Sequence, residues 1–427
     1  MLATDQWRAG QFMGRRWPIG CVALEVTQRC NLDCTACYLS DLSESVKDLP
    51  LGEVFRRIDQ IFELYGPDTD IQITGGDPTL RKRDELLAIV RRIRDKGMRP
   101  TLFTNGIRAR RELLAELVDA GLVDVAFHVD MTQRRRGYES EIALNALRQE
   151  YIERVRGLPI SVMFNTTVYE GNFDQIPEVV AFFVRNSDVV RLASFQTSAQ
   201  VGRTVLARRP ARISLAGVQH QIEAGAGTRL AFDAAQIGHV DCNRYAMAFV
   251  IHGNAVDAFD DKKLFDDILE HTARLPFPRN RPNRVVSTFV RRILTSPSLT
   301  LRGTAWLARK VWQAKADLLR ARGRVHKLSF FIHDFMDAGC LDPARIEACV
   351  FAVATADGPV SMCQHNANRN AFILQPVRLG GSRGERFWDP LSGDLHEQPI
   401  RWDLQAECLS VQPNRRVRRR PDATVQA

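Results

Sequence analysis

No stretch of this chain approaches the roughly 18 consecutive apolar residues that a membrane-crossing helix needs. Its densest run, Val179-Val-Ala-Phe-Phe-Val184, is far shorter. The opening residues, Met1-Leu-Ala-Thr-Asp-Gln-Trp-Arg-Ala-Gly10, lack the apolar segment of a secretory signal, so a cytoplasmic location and reduced cysteines are expected. Acidic residues are nearly missing from 273–327, where Asp317 stands alone. The net charge of +9 is therefore concentrated rather than spread. In other respects the composition is ordinary: 427 residues, 45% hydrophobic, mean hydropathy −0.21. That is enough chain for one large globular domain and a smaller one.

The most informative feature present is Thr27-Gln-Arg-Cys-Asn-Leu-Asp-Cys-Thr-Ala-Cys-Tyr38, directly after an apolar, strand-like run. Its three cysteines, Cys30, Cys34 and Cys37, are odd in number and so are a poor disulfide set. A structural zinc would need a fourth ligand. Three thiolates can instead hold three irons of a cubane and leave the fourth iron open to a small molecule. A reduced, metal-free cluster and a zinc-binding protein are the alternative readings.

From Val22 to Ser194 strand-like and helix-like segments alternate. Strands are expected at 22–27, 71–74, 101–104, 123–129, 160–166 and 189–193. Between them, Val54, Ile58, Ile61 and Phe62 share one helical face, as do Leu86, Leu87, Val90 and Ile93. Six such units predict an α/β fold, a partial (β/α)6 TIM-type barrel with a C-terminal α+β extension, its ligands at the C-terminal strand ends. The expected divisions are an N-terminal segment 1–20, the barrel 21–205, a connecting region 206–272 with a strand pair turning at His252-Gly-Asn254, a basic amphipathic segment 273–327, a cysteine-containing extension 328–413, and a disordered basic tail 414–427.

The cysteine spacing after a strand resembles that of the radical S-adenosylmethionine (radical SAM) superfamily. Three further matches follow. Thr74-Gly-Gly-Asp-Pro78 resembles the family's Gly-Gly-Glu-Pro loop, Phe103-Thr-Asn-Gly106 ends the third strand, and Phe127-His-Val-Asp130 resembles a frequent Ser-Leu-Asp ending of the fourth. The resemblance implies a [4Fe-4S] cluster on Cys30, Cys34 and Cys37, bound S-adenosylmethionine (SAM), and a 5′-deoxyadenosyl radical that takes hydrogen from an unactivated position. It also implies a flavodoxin- or ferredoxin-type electron donor. Gly75, Gly76, Asp77, Asn105 and Tyr38 are the implied cofactor-binding residues, the glycines so that backbone can approach the ligand. Asn105 has a rival reading as a helix cap. Two departures stand out: Ala36 replaces the aromatic residue common before the third cysteine, and Asp77 replaces a glutamate. His128, Asp130, Asn165 and Gln196 are further candidates for facing the ligands.

Cys242, Cys340, Cys349 and Cys363 follow the barrel and are a candidate auxiliary iron–sulfur site, although none forms a tight C-x2-C pair. Their rival reading is as small core residues, as for Cys21 and Cys408. The run Asp357-Gly-Pro-Val-Ser-Met-Cys363-Gln-His-Asn366 resembles the ending of a group that includes archaeal tetraether lipid synthase and related pterin-annotated proteins.

Within the basic segment, 304–322 reads as a helix with Leu307, Ala308, Val311, Ala314 and Leu318 on one face and Trp306 and Trp312 flanking it. That pattern suits peripheral contact with an anionic membrane. The rival readings are a nucleic-acid backbone, for which no strong signal is present, and a helix packed on the barrel. The expected function is hydrogen abstraction from a hydrophobic substrate such as a membrane lipid or isoprenoid chain. The alternatives are a peptide-modifying maturase with an auxiliary cluster, RNA modification, and a zinc- or nucleic-acid-binding protein.

Overall fold

The computed structural model describes residues 19–206, 212–275, 278, 281–381, 384–400 and 402. Cys408 and the tail 414–427 lie outside the described residues, as does the expected N-terminal segment apart from residues 19 and 20.

The alternation read from the sequence folds as strand–helix units. They begin with β1 (Cys21–Thr27), α1 (Leu51–Tyr65), β2 (Asp70–Gly75), α2 (Arg83–Asp95), β3 (Arg99–Thr104) and α3 (Arg111–Asp119). They continue through β4 (Asp124–His128), α4 (Asn145–Val155), β5 (Ser161–Val168), α5 (Ile176–Arg185) and β6 (Val190–Thr197). All seven residues of β1 are buried, as expected for a strand covered on both faces. On α1 the buried positions Val54, Ile58 and Ile61 recur at helical spacing against the sheet. The six strands pair in sequence order, all parallel.

The chain then leaves the sheet through α6 (Leu215–Ala226), which packs on α5 closely enough that a Cβ on Gly225 would lie 2.2 Å from Pro177 O. A hairpin of β7 (Asn243–Ile251) and β8 (Asn254–Asp257) turns at His252 and Gly253, both at positive φ. An all-helical excursion follows: α7 (Lys262–His271), α8 (Pro282–Leu294), α9 (Pro297–Gln313) and α10 (Lys315–Arg320). The single helix expected over 304–322 is thus two, parted at the buried Ala314.

The C-terminal part first joins the main sheet and then builds a small sheet of its own. Its strand β9 (His326–Asp334) adds parallel to β6, while β10 (Phe351–Thr355) adds parallel to β1 after the short α11 (Pro343–Glu347). The antiparallel β7 and β11 (Gly358–Ser361) extend these edges, giving eleven strands in the order β11-β10-β1-β2-β3-β4-β5-β6-β9-β7-β8. The sheet is open, ending in β11 and β8, rather than a closed barrel. Last come α12 (Met362–Ala367), α13 (Arg369–Ile373) and a small sheet of β12 (Val377–Gly381), β13 (Gly384–Trp388) and β14 (Leu395–His396). No helix among the described residues is long and apolar enough to cross a membrane.

Candidate functional site

The cysteine loop leaves the C-terminal end of β1 and is seated from three sides. On the first, Gly76 N donates to Thr27 O and Asp77 N to Arg29 O, both at 2.8 Å. A Cβ on Gly75, which has φ +122°, would lie 1.9 Å from Thr27 O, and one on Gly76 would lie 2.0 Å from Arg29 O. Backbone meeting backbone is by itself enough to require the two glycines, apart from any approach to a ligand. On the second side, Thr35 N and Oγ1 both donate to Thr132 O, at 2.8 and 3.3 Å. On the third, the loop after β6 straps across: Cys37 N donates to Thr204 Oγ1 (3.1 Å), Arg203 N to Leu39 O and Val205 N to Thr35 O (both 2.8 Å). Gly202 lies so near the Tyr38 carbonyl that a Cβ there would be 2.4 Å from its oxygen.

A cavity of about 230 Å³ opens at this end of the sheet. Cys30, Cys34, Cys37, Tyr38, Gly75, Gly76, Asn105, His128, Asn165 and Gln196 all line it, gathered from the ends of β1 to β6. Asp77 does not. It is fully buried, and both carboxylate oxygens are taken: Oδ1 by Thr79 N and Oγ1, Oδ2 by Thr104 Oγ1 and Asn105 N. Asp77 thereby ties the glycine loop to the end of β3. Asn105 caps no helix, since α3 begins six residues later. Its side chain accepts from Ile107 N and donates to Asn31 Oδ1 (2.6 Å), with Nδ2 also 3.9 Å from Cys30 Sγ.

The donor set suits an iron–sulfur cluster. Burial pushes the Cys30 thiol up to about 11 and Cys34 well above its ordinary value, and neighbouring thiolates add to both shifts. A bound cationic metal centre reverses that penalty. A cubane gives each thiolate its own iron, so its three sulfurs stand apart. Among the described residues no group of three or more His, Cys, Asp or Glu is placed to hold a single metal ion. Arg203 completes the picture. Its Nε is buried without a hydrogen-bond partner, and although burial alone would lower the guanidinium pKa, the Cys37 thiolate more than offsets this. Nothing in the spacing of the sequence marks Arg203. It lies 166 residues after Cys37, where the periodic pattern has already loosened.

Tyr38 donates to Gly75 O at 2.5 Å, with the Arg369 guanidinium 4.7 Å from its ring centre. Arg369 also holds Glu25 (2.6 Å) and Gln28 (3.0 Å), so α13 braces the strand that carries the cysteine loop. Burial would raise the Glu25 carboxyl, but Arg369 outweighs it and brings the pKa down to about 2.

At the end of β4, His128 Nε2 and Asp130 Oδ2 are 2.7 Å apart. Asp130 also accepts from Thr132 N, Thr132 Oγ1 and Thr167 N. Burial opposes a charge on His128, yet the Asp130 carboxylate prevails and raises its pKa above the ordinary value. A histidine raised in this way stabilises the fold fully below its unfolded pKa near 6.5, and that stability is lost as pH rises through the folded value. The deficit of His128→Gln in urea unfolding is therefore expected to be larger at about pH 6 than at about pH 9. A deficit that grows with pH would contradict this pairing.

The later cysteines spread out. Cys363 lines the same cavity from the opposite end of the chain, and burial raises its thiol to about 11. Cys242 Sγ lies 3.2 Å from Arg345 Nε, Cys349 Sγ donates to Phe351 O, and Cys340 is exposed. Cys242, Cys349 and Cys363 sit within reach of one another's charge. Cys21 is buried in β1, as a core residue would be.

Residues 24–183 match the family model described as the radical SAM superfamily. The chain is 29% identical over 184 residues to a PqqA peptide cyclase of Bradyrhizobium diazoefficiens, covering 41% of this chain and 46% of that protein. It is 28% identical over 190 residues to a 7,8-dihydro-6-hydroxymethylpterin dimethyltransferase of Methanocaldococcus jannaschii, covering 42% and 36%. The chain thus spans less than half the length of both relatives. Among solved structures, Streptococcus suis SuiB bound to its precursor peptide SuiA aligns at 18% identity and TM-score 0.36, over 48% of this chain and 46% of that one. AdoMet-bound anSMEcpe aligns at 14% identity and TM-score 0.38, over 49% and 62%.

Proposed function

The chain belongs, through residues 24–183, to the radical SAM superfamily, and from that premise we propose that it is an enzyme abstracting hydrogen from an unactivated C–H bond of a hydrophobic substrate, a membrane lipid or isoprenoid chain. When bound, the [4Fe-4S] cluster and SAM supply the 5′-deoxyadenosyl radical for that step. Cys30, Cys34 and Cys37 would hold the cluster. The Gly75–Gly76 backbone and Asn105 border the space beside it. Asn105 Nδ2 and the Arg203 guanidinium bring donors to two of the three sulfurs. His128 borders the cavity, held by Asp130, whose carboxylate raises its pKa.

The observation that carries the hydrophobic substrate is the cavity's C-terminal wall. There Phe335, Met336, Val353 and Met362 turn apolar side chains to the cavity, which would favour an apolar part of a substrate. A flavodoxin- or ferredoxin-type protein would deliver the electron. Of the four later cysteines, Cys242, Cys349 and Cys363 lie near one another while Cys340 is exposed, so a second cluster there would be one thiolate short. A peptide substrate is the second reading, favoured by the likeness to a peptide cyclase.

Anaerobic reconstitution tests these proposals together. Wild type is expected to bind about eight irons if both clusters form and to release 5′-deoxyadenosine from SAM on reduction. The Cys30/Cys34/Cys37→Ala triple variant should release none, and it keeps about four irons only if the later cysteines hold a second cluster. Loss of all iron in the triple variant would remove the second cluster, and no iron in wild type would remove the radical chemistry. Product masses from lipid extract, set against those from peptides encoded beside the gene, decide between the two substrates.

A further inference from the structure

The helical excursion between β8 and β9 carries a face turned inside out. In α9 the side packed on the protein holds Leu299 and Lys310, whose ammonium pairs with Asp260 at 2.9 Å, while Arg302 on the flank pairs with Asp267 at 2.5 Å. The helical repeat puts Leu301, Leu307, Val311 and Trp312 on the other side, and all four are exposed, Leu301 and Trp312 to 72% and 70%. An ordinary surface helix does the reverse. In α8, Val286, Val290 and Leu294 recur four residues apart and are exposed too, and none of the helix's side chains described is buried. Of the fifteen large hydrophobic side chains exposed among the described residues, eight lie within 282–320. That density is far above the single scattered residues of an ordinary surface.

Cations accompany the apolar side chains. Arg284, Arg291 and Lys315 have no ion-pair partner among the described residues, and Lys315 lies 3.7 Å above the exposed Trp312 ring. Asp317 is the one acid of 273–327, and it is engaged by Arg320 and Asn254.

We propose that the outer face of α8, α9 and α10 seats the protein on an anionic lipid bilayer surface. The aliphatic and tryptophan side chains would enter the boundary between headgroups and acyl chains, and the unpaired cations would lie over lipid phosphates. The charge decides against two other occupants. A second copy docked face to face would set these cations against their own equals. A nucleic acid would satisfy the cations and leave the aliphatic side chains in water. The inference extends the lipid-substrate reading by naming the surface where such a substrate would be met, but it stands on the surface residues alone.

Co-sedimentation of the full chain with vesicles tests it, using phosphatidylcholine alone and with roughly a third phosphatidylglycerol. Wild type is expected to bind the anionic vesicles. Leu301→Asp/Leu307→Asp/Val311→Asp is expected to lose about tenfold or more of that binding with an unchanged thermal unfolding curve, since all three positions are exposed. Arg284→Glu/Arg291→Glu/Lys315→Glu should abolish the preference for anionic lipid. Wild type remaining in the supernatant, or the aspartate variant binding as well as wild type, overturns the proposal. So does a dimer that the aspartate variant splits while neither protein binds vesicles. Vesicle binding without modification of any lipid by the reconstituted enzyme leaves the docking surface intact and removes the lipid substrate instead.

Discussion

Arg148→Ala is expected to lower the free energy of unfolding by about 3–5 kcal/mol, the range for leaving one member of a buried ion pair alone. Arg148 and Glu141 are both fully buried and directly paired. Arg148 also donates to Glu141 O (3.0 Å), Asn145 Oδ1 (2.8 Å) and Val129 O (2.8 Å), and Glu141 accepts from Met131 N and Asn172 Nδ2. Burial already raises the Glu141 carboxyl above its ordinary value against the pull of Arg148. Without the guanidinium the acid would have to take up a proton or admit water. The consequence reaches the site because residues 129–133 hold Asp130 and Thr132, and Thr132 O anchors Thr35 in the cysteine loop. Iron bound per chain should therefore fall together with the denaturation midpoint. Arg148→Met/Glu141→Gln removes both charges and is expected to recover at least half of the lost stability. A single-variant loss below about 1 kcal/mol would show that the pair does not brace this loop.

Arg203→Gln is expected to make the cluster harder to reduce, shifting its midpoint potential by on the order of 100 mV to more negative values. One positive charge is removed beside Cys37, a thiolate that would ligate the cluster, in a partly buried site. The side chain is almost wholly buried and acts on Cys37, with Glu44 at 3.4 Å and the Asp33 carboxylate also acting on it. An EPR-monitored redox titration reads the shift directly, and iron content and thermal unfolding separate it from simple loss of the loop. Arg203→Lys keeps the charge but not the fork of donors, and it should recover most of the potential. A midpoint within about 20 mV of wild type, with the cluster intact, would make Arg203 a strap residue only.

The features legible in the sequence are those encoded over short distances. Cysteines at 30, 34 and 37 define their ligand spacing within one loop, and the alternation of strand and helix patterns from Val22 to Ser194 reports which faces meet the core. Gly75, Gly76, Asn105, His128, Asn165 and Gln196 could be placed near the cysteines because each lies at a strand end, and parallel strands bring their C-terminal ends together. The apolar stripe of the basic segment was legible as well. Periodicity alone, however, could not say whether Leu307 and Val311 face the protein or the solvent.

By itself, then, the sequence determined a three-thiolate loop at the end of a strand, six parallel strand–helix units and a basic, tryptophan-bearing helical segment. These follow from residue type and local spacing. Only the tertiary structure decided that the C-terminal part adds β9 and β10 to the central sheet. The same is true of Arg369, which reaches Glu25 across 344 residues of sequence, and of Arg203, which covers the cysteine loop. Only there, too, do Gly75 and Gly76 prove indispensable because Thr27 and Arg29 press against them, and only there does α9 turn its aliphatic side outward. The reason is the same in each case. A side chain's partner across the fold is set by chain topology and close packing, and neither leaves a local trace in the sequence.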